Sequence, residues 1–494
     1  MSTILFGFLI GLPALGTLLC GLFHRRRLLE TVAVAATGLT FLTALRLAGE
    51  VMHGTVVSSP EGWWYADGLS AYIAAIVSGS ALVVTLYSVG YLRRQLRRRH
   101  VDARQLWLYY LLLHAFLLTM MFVLISNNMG FLWIGSEATT LATAFLVAFY
   151  NREASIEAAW KYVIICSVGI ALALFGIILT YYSALHVLPA SGSALNWSSL
   201  MQVARRLDPG VLKLAFIFLL VGFGTKAGLA PMHTWKPDAY GEAPAPISAL
   251  MAAGLVNVAL YSLIRFYILV NSAVGGSFAP TLFIIFGLVS MGIAAPFIIL
   301  QKDFKRLLAY SSVEHVGIIV FAVGIGSPLA LFGAMLHMLN NAIAKTLLFL
   351  TAGNIRLAYN SKLIRKVTGA IRVVPVSATF LIVGVFAITG WPPFGVFVSE
   401  FTIVSAAFAG GSVLPAILFI AFVAAIFGGF IYYVSGMVMG EPQAAPRAQA
   451  GGGEARAGTL ILLGILLAAL LVLGVSVPFR LRECIECAVT VLKG

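Results

Sequence analysis

Charge is scarce in this sequence, and acidic charge is scarcest. Only 18 of the 494 residues are Asp or Glu, and Asp, Glu, Lys and Arg together make up 10%. A soluble globular chain carries about 25%. Hydrophobic residues make up 61%, more than the interior of a soluble domain can hide. Lipid is the solvent this composition calls for. Cysteine is also sparse, with four residues. Cys20 and Cys166 lie inside apolar runs and read as packing residues. Cys484 and Cys487 form a CxxC near the C-terminus, too few thiols for a structural zinc or an iron–sulfur cluster without further ligands. The pair reads as incidental; a disulfide is the alternative if that end faces an oxidising compartment. Rossmann and P-loop signatures are missing, as are long hydrophilic stretches. The sequence therefore predicts no cofactor, no metal and no redox centre on this chain.

What is there is a series of apolar runs, each near the 20 or so residues that span a bilayer as helix. They fall at 3–23, 28–48, 68–92, 107–126, 128–150, 159–183, 211–231, 244–270, 279–300, 306–326, 328–353, 375–408, 412–438 and 457–478. The 375–408 run is broken by Gly390, Trp391, Pro392 and Pro393 and counts as one interrupted span. The expected fold is an all-α membrane protein of about 14 transmembrane helices.

The net charge of +14 does not point to nucleic acid, because the basic runs lack the aromatic interleaving of a binding module. It sits in alternate loops. Arg25–Arg27 follow span 1, and Arg93, Arg94, Arg97–Arg99 and Arg104 follow span 3. Lys302, Lys305 and Arg306 follow span 9, and Arg356, Lys362, Arg365, Lys366 and Arg372 follow span 11. Arg152 and Lys236 are single examples after spans 5 and 7. The intervening loops 49–67, 126–128, 271–278, 325–329 and 409–413 carry no Lys or Arg. The positive-inside rule places the basic loops in the cytoplasm and both termini outside. Span 1 is not a cleavable signal, since its charges follow the apolar stretch. Trp63, Trp64 and Tyr65 suit an outer interfacial belt, and the Ala/Gly/Pro-rich 439–456 loop reads as flexible.

Charge at bilayer depth costs at least about 2.5–3.5 kcal/mol and marks ion paths. Glu137, Lys226, Lys345 and Glu400 have apolar sequence on both sides and are the strongest candidates. His337 stands eight residues before Lys345, close to two helical turns, so the two share a face. Glu314, His233 and His315 are further ionisable residues near these runs. Lys161 and Lys213, near span starts, and Arg265, near a span end, suit ion pairs or side chains that reach the interface. His114 suits a hydrogen-bonded core position.

Two interruptions organise this set. Span 7 carries Lys226 with Pro231, and span 12 carries Pro392 and Pro393 with Glu400. They lie five spans apart, and an odd offset reverses direction through the membrane. Spans 4–8 and 9–13 are therefore expected as inverted five-helix repeats, the arrangement in which broken helices mark a transport site. The expected organisation is 1–106 for three N-terminal helices, 107–270 for the first repeat, 279–438 for the second, and 439–494 for the loop and last span.

Three stretches carry a family resemblance: KAGLAPMHTWKPDAYGEAPAPISALMAAGLVNVALYSLIRF at 226–266, QKDFKRLLAYSSVEHVG at 301–317, and WPPFGVFVSEF at 391–401. They resemble the antiporter-like subunits of complex I, a family that includes Mrp-type cation/proton antiporters and the membrane arms of energy-converting hydrogenases. The resemblance spans roughly residues 70–440. It is nearest to component F of hydrogenase-4 and formate hydrogenlyase. It implies that Glu137 pairs with Lys226, that Lys345 and His337 form a central proton relay, and that Glu400 exchanges protons with the far side. Burial disfavours charge on a lysine and a nearby carboxylate restores it, so separating such a pair releases a proton. Two positions depart from the family pattern. Asn257 and Asn341 stand where a Lys or His is common, which thins the relay and leaves water or His233 to bridge it. The long C-terminal amphipathic helix of the largest family members is not expected here.

The resemblance implies a proton-translocating subunit of a hydrogenase or quinone-reductase complex in a bacterial plasma membrane, with other membrane and peripheral subunits as partners. The alternatives are an Mrp-type sodium/proton antiporter subunit, a membrane subunit of an inorganic-carbon uptake complex, and a non-conducting scaffold.

Overall fold

Each apolar run folds as helix, because in lipid a backbone must satisfy its own hydrogen bonds. The computed structural model describes residues 3–52, 54–188, 192–441 and 453–493. The first helices are α1 (Ile4–Leu22), α2 (Arg26–Val51), α3 (Gly68–Arg97), α4 (Ala103–Ile125), α5 (Met129–Val147) and α6 (Glu153–Ala184). A short α7 (Trp197–Val203) precedes α8 (Pro209–Ala227), α9 (Trp235–Glu242), α10 (Ala245–Leu250) and α11 (Val256–Val274). Then come α12 (Phe278–Ile299), α13 (Phe304–Ile325), α14 (Pro328–Tyr359), the single turn α15 (Ala370–Val373), α16 (Pro375–Ile388) and α17 (Gly395–Ala409). The last are α18 (Val413–Met439), α19 (Ala457–Val475) and α20 (Phe479–Leu492).

Helix occupies every run that the sequence marks as a span. Among the described residues twelve helices are long and apolar enough to cross a membrane, with α10 and α11 counted as one. The 32-residue α14 is diluted by His337, Asn340, Asn341 and Lys345. The interrupted span is the pair α16 and α17. One small departure from all-helix is an antiparallel pair, Val57–Ser58 with Tyr65–Ala66, in the loop that carries the aromatic belt.

Polar residues set the helix starts. Asp67 accepts from the Leu69 and Ser70 amides at the head of α3. Asp102 and Gln105 form a capping box on α4. Asn128, Asp208 and Asp303 cap α5, α8 and α13 in the same way. Each satisfies amides that the first turn leaves free.

The apolar window of Ala245–Val274 is wholly buried and that of α13 nearly so, whereas α1, α18 and α19 bury under a third of theirs. The bundle therefore has a protein-enclosed centre and a lipid-facing rim, the latter carrying exposed Leu18, Phe145, Ile164, Leu414 and Ile461. Close helix contacts need missing side chains. A Cβ on Gly222 of α8 would lie 2.6 Å from Ala173 of α6, and one on Gly317 of α13 would lie 2.6 Å from the Gly287 carbonyl of α12. Small residues let backbones approach in this way where no hydrophobic driving force acts between helices.

Two expectations need correction. Lys236 and Lys305, read as loop charges, are fully buried. Their ammonium groups are drawn inward by helix-end carbonyls that the chain leaves without partners. The flexible reading of 439–456 fails at its end. Glu454 accepts from the Val376 and Ser377 amides at 2.9 and 3.1 Å and so caps α16; residues 442–452 lie outside the described residues. Past α19 lies the short amphipathic α20, 14 residues long, which packs against α3 and α14. It carries Cys484 and Cys487, both free thiols, with the Cys487 Sγ donating to the Met52 carbonyl at 2.8 Å.

Candidate functional site

The first break is built from its own sequence. Helix α8 stops at Ala227 because Gly228 turns to φ +77°, a conformation that favours glycine. The freed carbonyls of the last turn then need donors. The Trp235 indole donates to Thr225 O at 2.9 Å, and the Lys236 ammonium donates to Ala227 O at 2.7 Å. The second break repeats the device: Gly390 lies at φ +71° between α16 and α17. Both breaks contain a cis proline bond, Ala230–Pro231 and Pro392–Pro393.

Lys226, on the last turn of α8, is buried. It donates to the Ser136 carbonyl at 2.6 Å and to the Thr140 hydroxyl of α5. Glu137 does not meet it directly. Glu137 is half-buried, accepts from Ser167 of α6 at 2.7 Å, and accepts from Thr140 at 3.4 Å. The expected pair is thus joined through one hydroxyl, with no ion pair between them among the described residues.

Lys236 continues from there. Besides Ala227 O it donates to the Ser312 carbonyl of α13 at 3.3 Å. On the neighbouring residue, the Ser311 hydroxyl accepts from Lys345 of α14 at 2.6 Å, and Leu308 O accepts from Lys345 at 3.2 Å. Glu314, one turn further along α13, faces Ser311 and the charge of Lys345 and is buried.

The third group joins three helices. His315 Nδ1 and His337 Nε2 lie 2.9 Å apart, and His337 Nδ1 lies 2.9 Å from the Ser399 hydroxyl of α17. Glu400 is the next residue. Atoms of His315, His337 and Glu400 all fall within 4.8 Å of one another. Glu400 also lines an apolar cavity of about 540 Å³ with Trp391, Phe397, Phe401 and Phe427.

The structure therefore brings His315, His337 and Glu400 together and links Glu137 to Lys226 at one remove. The asparagines make no direct bond to the charged groups among the described residues, although Asn341 lies one turn from both His337 and Lys345 on α14. Asn257 donates only to its own helix, at Ala253 O, 2.8 Å away, just after the π turn Met251–Leu255. Its Oδ1 and that of Asn341 have no partner in the protein. His233 packs edge-on against Phe297 and Tyr310. Sequence reasoning missed Lys236 and left Glu314 outside the relay. Glu314 met the criterion that selected Glu137 and Glu400, a carboxylate within an apolar run. Lys236 could have been found from the break itself, since a cation nine residues after Ala227 can reach carbonyls freed at Gly228.

One contrast sets these residues off from ordinary buried charge. Arg265 and Asp67 form a bidentate ion pair at 2.6 and 2.7 Å, and Arg93 pairs with Glu30 at 2.5 Å. Lys161 and Glu157 pair at 2.6 Å on the exposed surface, and the buried His114 bonds to the Tyr110 carbonyl at 2.8 Å. These are structural roles. Among the described residues Lys226, Lys236, Lys345, Glu314 and Glu400 form no ion pair; the three lysines are held by carbonyls and hydroxyls alone. An unpaired buried charge is costly; Lys305, held by the Gly241 and Ala243 carbonyls, shares this state outside the row.

A family model described as NADH:quinone oxidoreductase/Mrp antiporter, TM, matches residues 126–428. A hydrogenase-4 component F homolog of Methylacidiphilum infernorum is 37% identical over 82% of this chain and 85% of its own length. NADH-quinone oxidoreductase subunit N of Desulforudis audaxviator is 31% identical over 91% and 88%. A chain of the membrane-bound sulfane sulfur reductase, an archaeal respiratory membrane complex, superposes with TM-score 0.87 at 23% identity, covering 100% of this chain and 98% of that one. A chain of the Mrp complex of a Dietzia species gives 0.87 at 18%, covering 100% and 99%. The two solved structures share the fold, and the sequence matches go further. This chain belongs to the NADH:quinone oxidoreductase/Mrp antiporter family of membrane proteins.

Proposed function

We propose that the chain is the proton-translocating, antiporter-like subunit of a membrane-bound redox complex of the hydrogenase or quinone-reductase type. The observation that carries this is the row of buried, unpaired ionisable groups. It starts at the half-buried Glu137 and runs through the buried Lys226, Lys236, Lys345 and Glu314 to His315, His337 and Glu400. Thr140 bridges Glu137 and Lys226, Ser311 lies between Lys345 and Glu314, and His315 meets His337, which meets Ser399. Where Asn257, Asn341 and Glu400 keep a buried polar atom without a protein partner, water is the group that satisfies it. Lys236 supplies the cation that Asn257 does not.

The halves 107–270 and 279–438 act as inverted repeats in this reading. Supporting it, α6 packs along the broken α8 and α14 along the broken α17, the third helix on the fourth in both. The 1–106 helices and the 439–494 segment flank them. The basic loops face the cytoplasm of a bacterial cell and both termini face outward, in accord with the positive-inside rule. The partners are membrane and peripheral subunits that hold the redox centres, since the relatives include a hydrogenase-4 component and an NADH-quinone oxidoreductase subunit.

The test is Lys226→Ala in the intact complex, reconstituted in vesicles, with electron transfer and proton uptake measured together. Proton uptake per electron falls if the relay is correct. Unchanged translocation with normal assembly would sink the proposal. Replacing sodium by potassium in the same vesicles separates this from a sodium/proton exchanger, whose flux follows sodium.

A further inference from the structure

The end of the bundle that carries the basic loops holds a polar cavity of about 240 Å³, away from the buried row. Four cationic or ionisable basic side chains line it: His100, Arg152, Arg356 and Lys362, with Tyr150 as floor and Glu242 as the one acidic group. Glu242 is already engaged by Lys362. The guanidinium groups of Arg152 and Arg356 lie 5.6 and 5.1 Å from the Tyr150 ring centroid. The ring thus holds two cations that would otherwise repel each other. Its hydroxyl is occupied by Gln95 at 2.6 Å and Tyr91 at 3.0 Å, so the ring cannot swing away. Arg356 Nη1 is buried and has no acceptor in the protein. An unsatisfied buried guanidinium donor beside a second guanidinium calls for an anion with several oxygens.

We propose that this cavity is a phosphate-binding site, taking one phosphate group between Arg152, Arg356 and His100. Its volume lies below the roughly 300–1,000 Å³ of pockets that enclose drug-sized ligands. It suits a single charged group and not a whole nucleotide. That group is either the headgroup of an anionic lipid or a free phosphate; both offer the same oxygens. The inference does not depend on the proton-relay reading.

His100 reports on the site. Burial, with the charges of Arg98, Arg152 and Arg356, pushes its imidazole below the ordinary value, and a bound anion counters those cations. The experiment follows the His100 ring by NMR in the full chain, in micelles of a phosphate-free detergent, with the resonance assigned by His100→Gln. Inorganic phosphate, phosphatidylglycerol and sodium chloride at matched ionic strength are titrated separately. The expected result is an upward shift of the His100 titration with phosphate or with phosphatidylglycerol, and not with chloride. A shift with inorganic phosphate assigns the site to free phosphate; a shift with phosphatidylglycerol alone assigns it to a lipid headgroup. Arg152→Gln and Arg356→Gln should each weaken the effect about tenfold, the loss of a charge-assisted hydrogen bond. Arg152 is exposed, so its variant tests the site without threatening the fold. No shift with either ligand, an equal shift with chloride, or undiminished binding in Arg152→Gln overturns the proposal.

Discussion

The ammonium of Lys236 donates to the carbonyl of Ser312, 3.3 Å away, while the adjacent Ser311 hydroxyl takes a hydrogen bond from Lys345 at 2.6 Å. Two consecutive serines of α13 thus stand between two buried lysines of different helices. In the proposed relay, Lys236 is the titratable group between Lys226 and the centre. Lys236→Gln keeps a donor for Ala227 O and removes the titratable group. Proton uptake in reconstituted vesicles should fall by about 10²-fold or more, the usual scale for deleting a positioned proton-transfer group. Assembly, followed by gel filtration, should stay normal. Retained uptake would show that Lys236 only caps α8.

Thr140 gives a finer test of the link between Glu137 and Lys226. Its hydroxyl accepts from Lys226 and donates to Glu137. Thr140→Val keeps the shape and breaks both bonds. A hydrogen bond to a charged group is worth about 1.5–3 kcal/mol, so translocation should slow by at least about tenfold. Thr140→Ser should restore it. Equal rates in Val and Ser variants would mean that the two charged residues communicate by another route.

The helices were legible because lipid enforces one rule on the backbone, and apolar length records it directly. The interrupted span at 375–408 was legible from Gly390, Pro392 and Pro393, because such a cluster strongly disfavours helix. Individual side-chain depth was not. Lys236 follows a break, and sequence alone cannot say whether the chain after a break leaves the membrane or folds back into protein. The Thr140 bridge was hidden because threonine is common in apolar helices and only its distance to two charges gives it a role. Meeting of His315, His337 and Glu400 depends on how α13, α14 and α17 pack. Residues 315 and 337 have no fixed periodic relation across a turn.

Arg265 and Asp67 should behave oppositely to the relay residues. Their pair is bidentate, buried and extended by Ser70 at 2.8 Å, and it ties α11 to the head of α3. Removing one partner strands the other, at a cost of about 3–5 kcal/mol. Asp67→Asn should therefore lower the midpoint of denaturant unfolding in micelles. Proton uptake per assembled molecule should be unchanged. A variant of full stability and reduced uptake would move this pair from scaffold to pathway.

Acid stability gives a last check at the basic end of the bundle. Burial works to raise the Glu242 carboxyl, but the hydrogen bond and charge of Lys362, with Lys305 and Arg356 behind it, outweigh burial and hold it below its ordinary value. A carboxyl depressed in the folded state binds its proton less readily there than in the unfolded chain. Its contribution is therefore complete above the unfolded value, near pH 4.3 for glutamate. It is lost as pH falls from there through the folded value. Glu242→Gln removes this dependence. The melting temperature of the wild type should exceed that of the variant at pH 7, and the gap should close as the pH is lowered below about 4. A gap that stays constant with pH would show that the glutamate contributes by shape and hydrogen bonding, and that the charge of Lys362 does not select its ionised form.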